Sequence, residues 1–184
     1  YDARYEESDS DSRLARAKQM SICQNVSAEG YALISEECEY SESYDDNFVI
    51  DSQGFEGRHT ETSFSTFCEM TIEDTAGNKY SGFWWESSFD KDGVSLEGCS
   101  RKALERAARQ IGPKKRRSGH YRMVVDTSVA TKLVSPILTA LNASSIQQKM
   151  SFLDGTLGQR IFPENMTLMD LARTPRKNGS RLFD

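Results

Sequence analysis

The chain has 184 residues, 37% of them hydrophobic and 28% charged, with a net charge of −5, which suits one compact domain or pieces of two. Nine Phe, seven Tyr and two Trp exclude a disordered segment, which would be poor in aromatics, and no run approaches the roughly 18 apolar residues of a transmembrane helix. The net charge hides an asymmetry: residues 1–100 carry −15 and residues 101–184 carry +10, a split that suits a nucleic-acid surface or two halves that attract each other or different partners.

The start, YDARYEESDSDSR, is acidic and lacks the apolar stretch of a signal peptide; having no initial Met, it points to a trimmed or partial chain. Residues 12–23 (SRLARAKQMSIC) predict a short helix, with Leu14, Ala17 and Met20 on one face and Ser12 as its cap. From Tyr31 to Phe89 the period becomes two. ALISEECEY and NFVID are strand-like, and DSQG is a turn. TSFSTFCEMTIED then places Phe64, Thr66, Cys68, Met70 and Ile72 on one face. After the turn DTAGN, KYSGFWWESSF returns, giving a meander of about four antiparallel strands. Residues 97–111 are the clearest helix, with Cys99, Ala103, Leu104, Ala107, Ala108 and Ile111 in one stripe, stopped by Gly112-Pro113. KKRRSG is an exposed linker and the expected domain boundary. HYRMVVD predicts a strand. Residues 127–142 predict a helix that Pro136 either kinks or restarts, with Ser135 as the second cap. The remainder is rich in Gly, Pro and Asn, and is expected to be loop with short strands. The fold class is α+β: an antiparallel β-meander with packing helices, followed by the start of a second α+β domain.

The residue chemistry shows no active site. The two histidines, His59 and His120, have no second His or Cys at metal-ligand spacing, and Cys23, Cys38, Cys68 and Cys99 are scattered. A zinc site needs three or four converging ligands, so ordinary core cysteines and surface histidines are the better reading. Four cysteines are also too few for a disulfide scaffold, so the reducing cytoplasm is the expected compartment. No G-x-S-x-G nucleophile elbow occurs. Glu36, Glu37, Glu39, Glu42, Asp45 and Asp46 offer no distinguishable acid–base pair and are expected to form a solvated face. Lys114–Arg117 invites a nucleic-acid reading, but cations past a helix C-terminus also complement its dipole, and few aromatics interleave with them. Gly155 and Gly158 form neither a dinucleotide fingerprint nor a P-loop.

SFLDGTLGQRIFPENMTLMD (Ser151–Asp170), preceded by GHYRMVVD (Gly119–Asp126) and followed by NGSRLFD (Asn178–Asp184), resembles the TldD/PmbA family, which also carries the label "modulator of DNA gyrase". The elements Ser-Phe-Leu, Leu-Gly, Leu-x-x-Asp and Gly-Ser-x-x-Phe-Asp fall in family order. DNFVIDSQGF (Asp46–Phe55) resembles the family's strand ending in Ser-x-Gly. The resemblance covers essentially the whole chain. It implies a two-domain α+β protein of roughly 450 residues, with this chain as its middle. Residues 1–118 would be the latter part of the N-terminal domain, and residues 119–184 the beginning of the C-terminal domain.

One branch of the family, TldD-like, carries a zinc-binding His-Glu-x-x-x-His motif on the helix after the strand matched by HYRMVVD. Two His one turn apart can chelate zinc, and the Glu can act as general base on its bound water. Here that helix is TSVATKLVSPILTALN, with no His and no Glu. The resemblance therefore implies the PmbA/TldE branch, the non-catalytic subunit of a cytoplasmic zinc metallopeptidase complex that acts on unfolded or extended peptides. No catalytic, metal-binding or substrate-binding residue is assigned. No cofactor is expected in this chain, zinc being expected only in a TldD-like partner. The expected partners are that sister subunit, or a second copy, and a peptide substrate, with no membrane and with nucleic acid disfavoured. Two alternatives remain open at this stage: a nucleic-acid or gyrase-associated regulator, and an enzyme whose site is completed elsewhere. Phe83, Trp84 and Trp85 are candidates for a partner surface, against the commoner fate of packing in the meander's own core.

Overall fold

Alternation along β2 (Glu56–Asp74) organises the first part of the structure, a computed structural model that describes residues 1–23, 30–175, 177 and 179–183. Thr62, Phe64, Thr66, Cys68, Met70 and Ile72 are buried, and the intervening residues face the other way. Successive strand side chains point to opposite faces, so this one pattern sets which side of the sheet is covered. β2 is the middle strand of an antiparallel sheet in the order β1-β2-β3, between β1 (Tyr31–Ile50) and β3 (Lys79–Ser88). The turn after β2 is built by Asp74, whose Oδ1 accepts from the Ala76 and Asn78 amides at 2.9 Å, while Gly77 takes φ +82°.

Three strands replace the expected four. ALISEECEY and NFVID belong to one continuous β1, because residues 35–50 pair without a break with residues 56–71. The one irregularity lies between Leu33 and Ser35. Leu33 pairs with Ile72 and Ser35 with Thr71, so Ile34 is an extra residue, a bulge that reverses which parity of β1 faces the core. Beyond it, Glu36, Cys38, Tyr40 and Glu42 oppose Met70, Cys68, Thr66 and Phe64 on the covered face.

That face is closed by α1 (Ser10–Met20) and α2 (Leu96–Ala108). Met20, Ile22, Tyr40, Phe64, Cys68, Met70, Val94, Cys99 and Ala103 form the core. α1 starts earlier than the sequence predicts. Asp9 is its cap, accepting from the Ser12 amide at 2.8 Å, while the Ser12 hydroxyl pairs with the Asp9 amide at 3.0 Å. Ser12 is thus the reciprocal member of a capping box rather than the cap. α1 also ends at Met20, since Ser21 is extended with ψ 126°. α2 is capped by Ser95, which accepts from the Gly98 amide at 3.2 Å. The buried Ser100 ties the two helices together by donating to the Met20 carbonyl at 2.6 Å.

The described chain divides into two compact units, residues 1–114 with 171–184, and residues 115–170. Within the first, Phe183 packs edge-on against Phe55 at 5.6 Å. Asn178 and Asp184 of the NGSRLFD motif lie outside the described residues. The second unit holds α3 (Thr127–Leu141) and α4 (Ala143–Gln147), a short helix the sequence does not predict. HYRMVVD is not a strand, nor do strands occur after residue 142 among the described residues. A strand needs a hydrogen-bonded neighbour, and no described segment pairs with either stretch. Pro136 neither ends nor restarts α3. Proline lacks the amide that would reach the Lys132 carbonyl. Around it, the Ser135 hydroxyl donates back to the Thr131 carbonyl at 2.8 Å and Thr139 to the Ser135 carbonyl at 3.0 Å. Ser135 is therefore no cap; Asp126 is, accepting from the Ser128 amide at 3.0 Å.

Candidate functional site

α3 is where the family resemblance places catalytic zinc, so its residues are the first test. The helix reads TSVATKLVSPILTAL. It offers hydroxyls, one ammonium and alkyl groups, and neither the imidazole nor the carboxylate donors that hold zinc. These residues do not fit the metal. Among the described residues, no three His, Cys, Asp or Glu side chains converge as a metal-binding group. His59 lies on β2 with Nε2 3.5 Å from the Glu61 carboxylate. His120 is exposed in the stretch without regular structure before α3. Within the second unit, Leu138, Leu141, Asn142, Leu168, Met169 and Asp170 line an open groove along the end of α3.

The acidic residues of β1 are not one solvated face. Alternation along β1 sends them to opposite faces, and the bulge at Ile34 decides that the even-numbered ones take the covered side. Glu37 and Glu39 are exposed, whereas the Glu42 side chain is fully covered. Glu42 accepts from the Tyr40 hydroxyl at 2.8 Å, and Arg13 and Lys91 stand 3.3 and 3.5 Å away. Burial pushes its carboxyl up, but the Tyr40 and Ser8 hydroxyls with Lys91 and Arg13 outweigh that and hold it below the ordinary glutamate value. Glu36 is also engaged, accepting from the Ile22 amide at 2.8 Å and the Ser21 hydroxyl at 2.6 Å past the end of α1. Asp46 takes the Arg58 guanidinium through both oxygens, at 2.9 and 2.7 Å. A second cluster anchors the N-terminus. Arg4 meets Asp2 and Asp90 at 2.7 Å and also Asp92, and the Asp2 carboxylate accepts the Lys91 amide at 2.9 Å. These arrangements tie separate segments of the first unit to one another.

The aromatic run on β3 splits by parity. Trp84 lies on the covered side, packed against the core, with Lys102 and Arg106 of α2 over its ring at 4.9 and 5.4 Å. Its indole donates to Glu86 at 3.1 Å. Phe83 and Trp85 lie on the open face, 45% and 55% exposed, with Phe83 stacked on Phe67 at 6.3 Å. Lys114–Arg117 are exposed and outside any helix. Cys38 and Cys68 oppose each other across β1 and β2 with their sulfurs 2.8 Å apart; the bulge aligns them, and no local pattern in the residue order marks it.

This architecture is that of a metallopeptidase-family protein. Residues 4–111 match the PmbA/TldA metallopeptidase central domain, and residues 118–184 match the PmbA/TldA metallopeptidase C-terminal domain. The chain belongs to the PmbA/TldD family. It is 25% identical over 138 residues to a metalloprotease PmbA homolog of Haemophilus influenzae, a match covering 72% of this chain and 30% of that protein. A crystal structure from Bacteroides thetaiotaomicron, described as a "putative modulator of DNA gyrase", superposes with a TM-score of 0.88 at 34% identity, covering all of this chain and 42% of that one. A similarly described Thermotoga maritima structure shares the fold, with a TM-score of 0.75 at 20% identity over 85% of this chain and 36% of its own. The chain thus spans well under half the length of these relatives. No described helix is long and apolar enough to cross a membrane.

Proposed function

We propose that this chain is part of a PmbA-like subunit of a zinc metallopeptidase complex, in which a TldD-like sister supplies the metal and this subunit supplies structure and part of the channel that holds an unfolded or extended peptide. The observation that carries the reading is the composition of α3. At the place where the catalytic branch would carry His-Glu-x-x-x-His, this helix has no donor for zinc and has Pro136 in its third turn. The family membership of both halves supports it, as do the opposite charges of residues 1–100 and 101–184, since complementary fields orient a partner.

The test is to mix the full chain with a TldD-like sister and follow cleavage of an unstructured peptide, with zinc counted by elemental analysis of each purified protein. Cleavage that needs both chains, with about one zinc in the sister and none here, is the expected result. Peptidase activity from this protein alone, or stoichiometric zinc lost on His59→Ala or His120→Ala, would overturn the reading.

A further inference from the structure

The structure assigns Cys38 and Cys68 as a dithiol pair that a hydroperoxide converts to a cross-strand disulfide, with Cys38 attacking and Cys68 resolving. Cys38 and Cys68 are direct partners in the β1–β2 ladder, and both point to the covered face because the Ile34 bulge shifts β1 by one. Directly opposed residues in an antiparallel pair have Cα atoms about 4.5 or 5.5 Å apart, depending on their hydrogen bonding. Both values fall within the roughly 4.4–6.8 Å that a disulfide spans. The sulfurs already stand 2.8 Å apart, about 0.8 Å beyond the length of a disulfide bond.

Exposure separates the two roles. Cys38 is half-buried on β1, an edge strand of this sheet, whereas Cys68 is fully buried on the central strand. A small oxidant from solvent therefore meets Cys38 before the fully buried Cys68. The local hydrogen bonds agree. The hydrogen bond from Cys68 holds the Cys38 thiol below its ordinary value, against the effects of burial and of the nearby Glu36 carboxylate, and the same contact together with burial pushes the Cys68 thiol up. Ser100 Oγ lies 3.6 Å from the Cys38 sulfur and directs its own hydrogen to the Met20 carbonyl. Cys99, the other buried cysteine, turns its sulfur to the Trp84 carbonyl at 3.4 Å. Cys23 is exposed beside Ser21.

The chemistry balances. The Cys38 thiolate attacks one oxygen of hydrogen peroxide; an S–O bond forms, the O–O bond breaks, and the departing hydroxide takes up a proton as water. Cys38 is then a sulfenic acid. The Cys68 sulfur attacks the Cys38 sulfur, its proton going to the leaving oxygen; the S–S bond forms, the S–O bond breaks, and a second water leaves. Two thiols lose two electrons and two hydrogens to one peroxide. A dithiol reverses the bond: one of its thiolates attacks Cys38, the less buried sulfur, the Cys68–Cys38 bond breaks and Cys68 leaves as the thiol, and the second thiol then displaces Cys38 as the reductant closes to its own disulfide.

The folded chain, purified under reducing conditions, is treated with hydrogen peroxide, alkylated, and mapped by mass spectrometry without reduction. The expected product has lost two hydrogens, joins the Cys38 and Cys68 peptides, reverts with dithiothreitol, and melts at a higher temperature than the reduced protein. Cys38→Ser, at the half-buried position, should leave Cys68 as unreactive as Cys99, and Cys99→Ser should leave the bridge intact. A bridge between any other pair, a sulfinic acid at Cys38 with Cys68 still alkylatable after unfolding, or oxidation that appears only once the chain is denatured would each overturn the assignment.

Discussion

Gly82 of β3 lies against the backbone of α2 at Ala107: a Cβ built on Gly82 would stand 2.3 Å from the Ala107 nitrogen and 2.5 Å from the Ala103 oxygen. Real Cβ atoms do not approach backbone so closely, and backbone atoms cannot swing aside as a side-chain tip can. The glycine is what lets the helix seat directly on the sheet, over the position where Met70 pairs with Gly82. Gly82→Ala should push α2 away from Cys99 and Ala103's packing partners and cost about 2–3 kcal/mol. For a chain of this size that lowers the melting temperature by roughly 5–10 °C, readable by calorimetry. An unchanged melting temperature would mean that α2 does not rest there.

Glu42 should make the protein acid-sensitive. Its folded carboxyl sits below the ordinary value of 4.5, despite burial, because Tyr40, Ser8, Lys91 and Arg13 favour the charged form. A lowered folded pKa gives stability that is present above the unfolded value and lost as pH falls through the folded one. Asp2, held low chiefly by the hydrogen bond from Arg4, acts in the same direction. Glu42→Gln should therefore destabilise by about 1–3 kcal/mol near neutrality, and the difference from wild type should shrink as pH drops below about 4. Melting curves across that range check it; a constant gap would mean that the carboxylate's charge contributes nothing.

Adjacent tryptophans should behave differently. Trp84→Ala removes a ring packed between the core and two α2 cations and should cost about 3 kcal/mol. Trp85→Ala acts on the open face and should stay within about 0.5 kcal/mol. Urea titration of both variants is sufficient, and equal losses would contradict the parity of β3.

The basic run should act only as charge. Changing Lys114, Lys115, Arg116 and Arg117 together to Ala should leave the melting temperature unchanged, since all four are exposed and outside regular structure. Any DNA retention by the parent protein should fade between low salt and about 150 mM, because a handful of phosphate contacts is steeply salt-dependent. Sequence-selective binding that persists at that salt and is lost in the variant would show a reader rather than a patch.

Some of this protein is determined by short-range pattern. Alternation from Phe64 to Ile72 designates the covered face of β2, the stripe through Cys99, Ala103 and Ala107 designates the buried side of α2, and turn segments that each open on an Asp and carry a Gly, DSQG and DTAGN, separate the strands. The absence of zinc donors from residues 127–141 is likewise plain in the residue order. What only the tertiary structure decided depends on pairing. A single inserted residue, Ile34, shifts β1 by one, and because strand side chains alternate with period two, that shift alone selects Cys38, Tyr40 and Glu42 rather than Glu37, Glu39 and Ser41 for the covered side. No local propensity marks a bulge whose reason lies in the partner strand. The same limit explains HYRMVVD, whose residues favour a strand but which has no described neighbour to complete one. Pro136 also breaks a local rule inside α3, where the Ser135 and Thr139 hydroxyls bond neighbouring carbonyls. Pattern determines which residues seek burial; register, set by contacts distant in sequence, decides which of them meet.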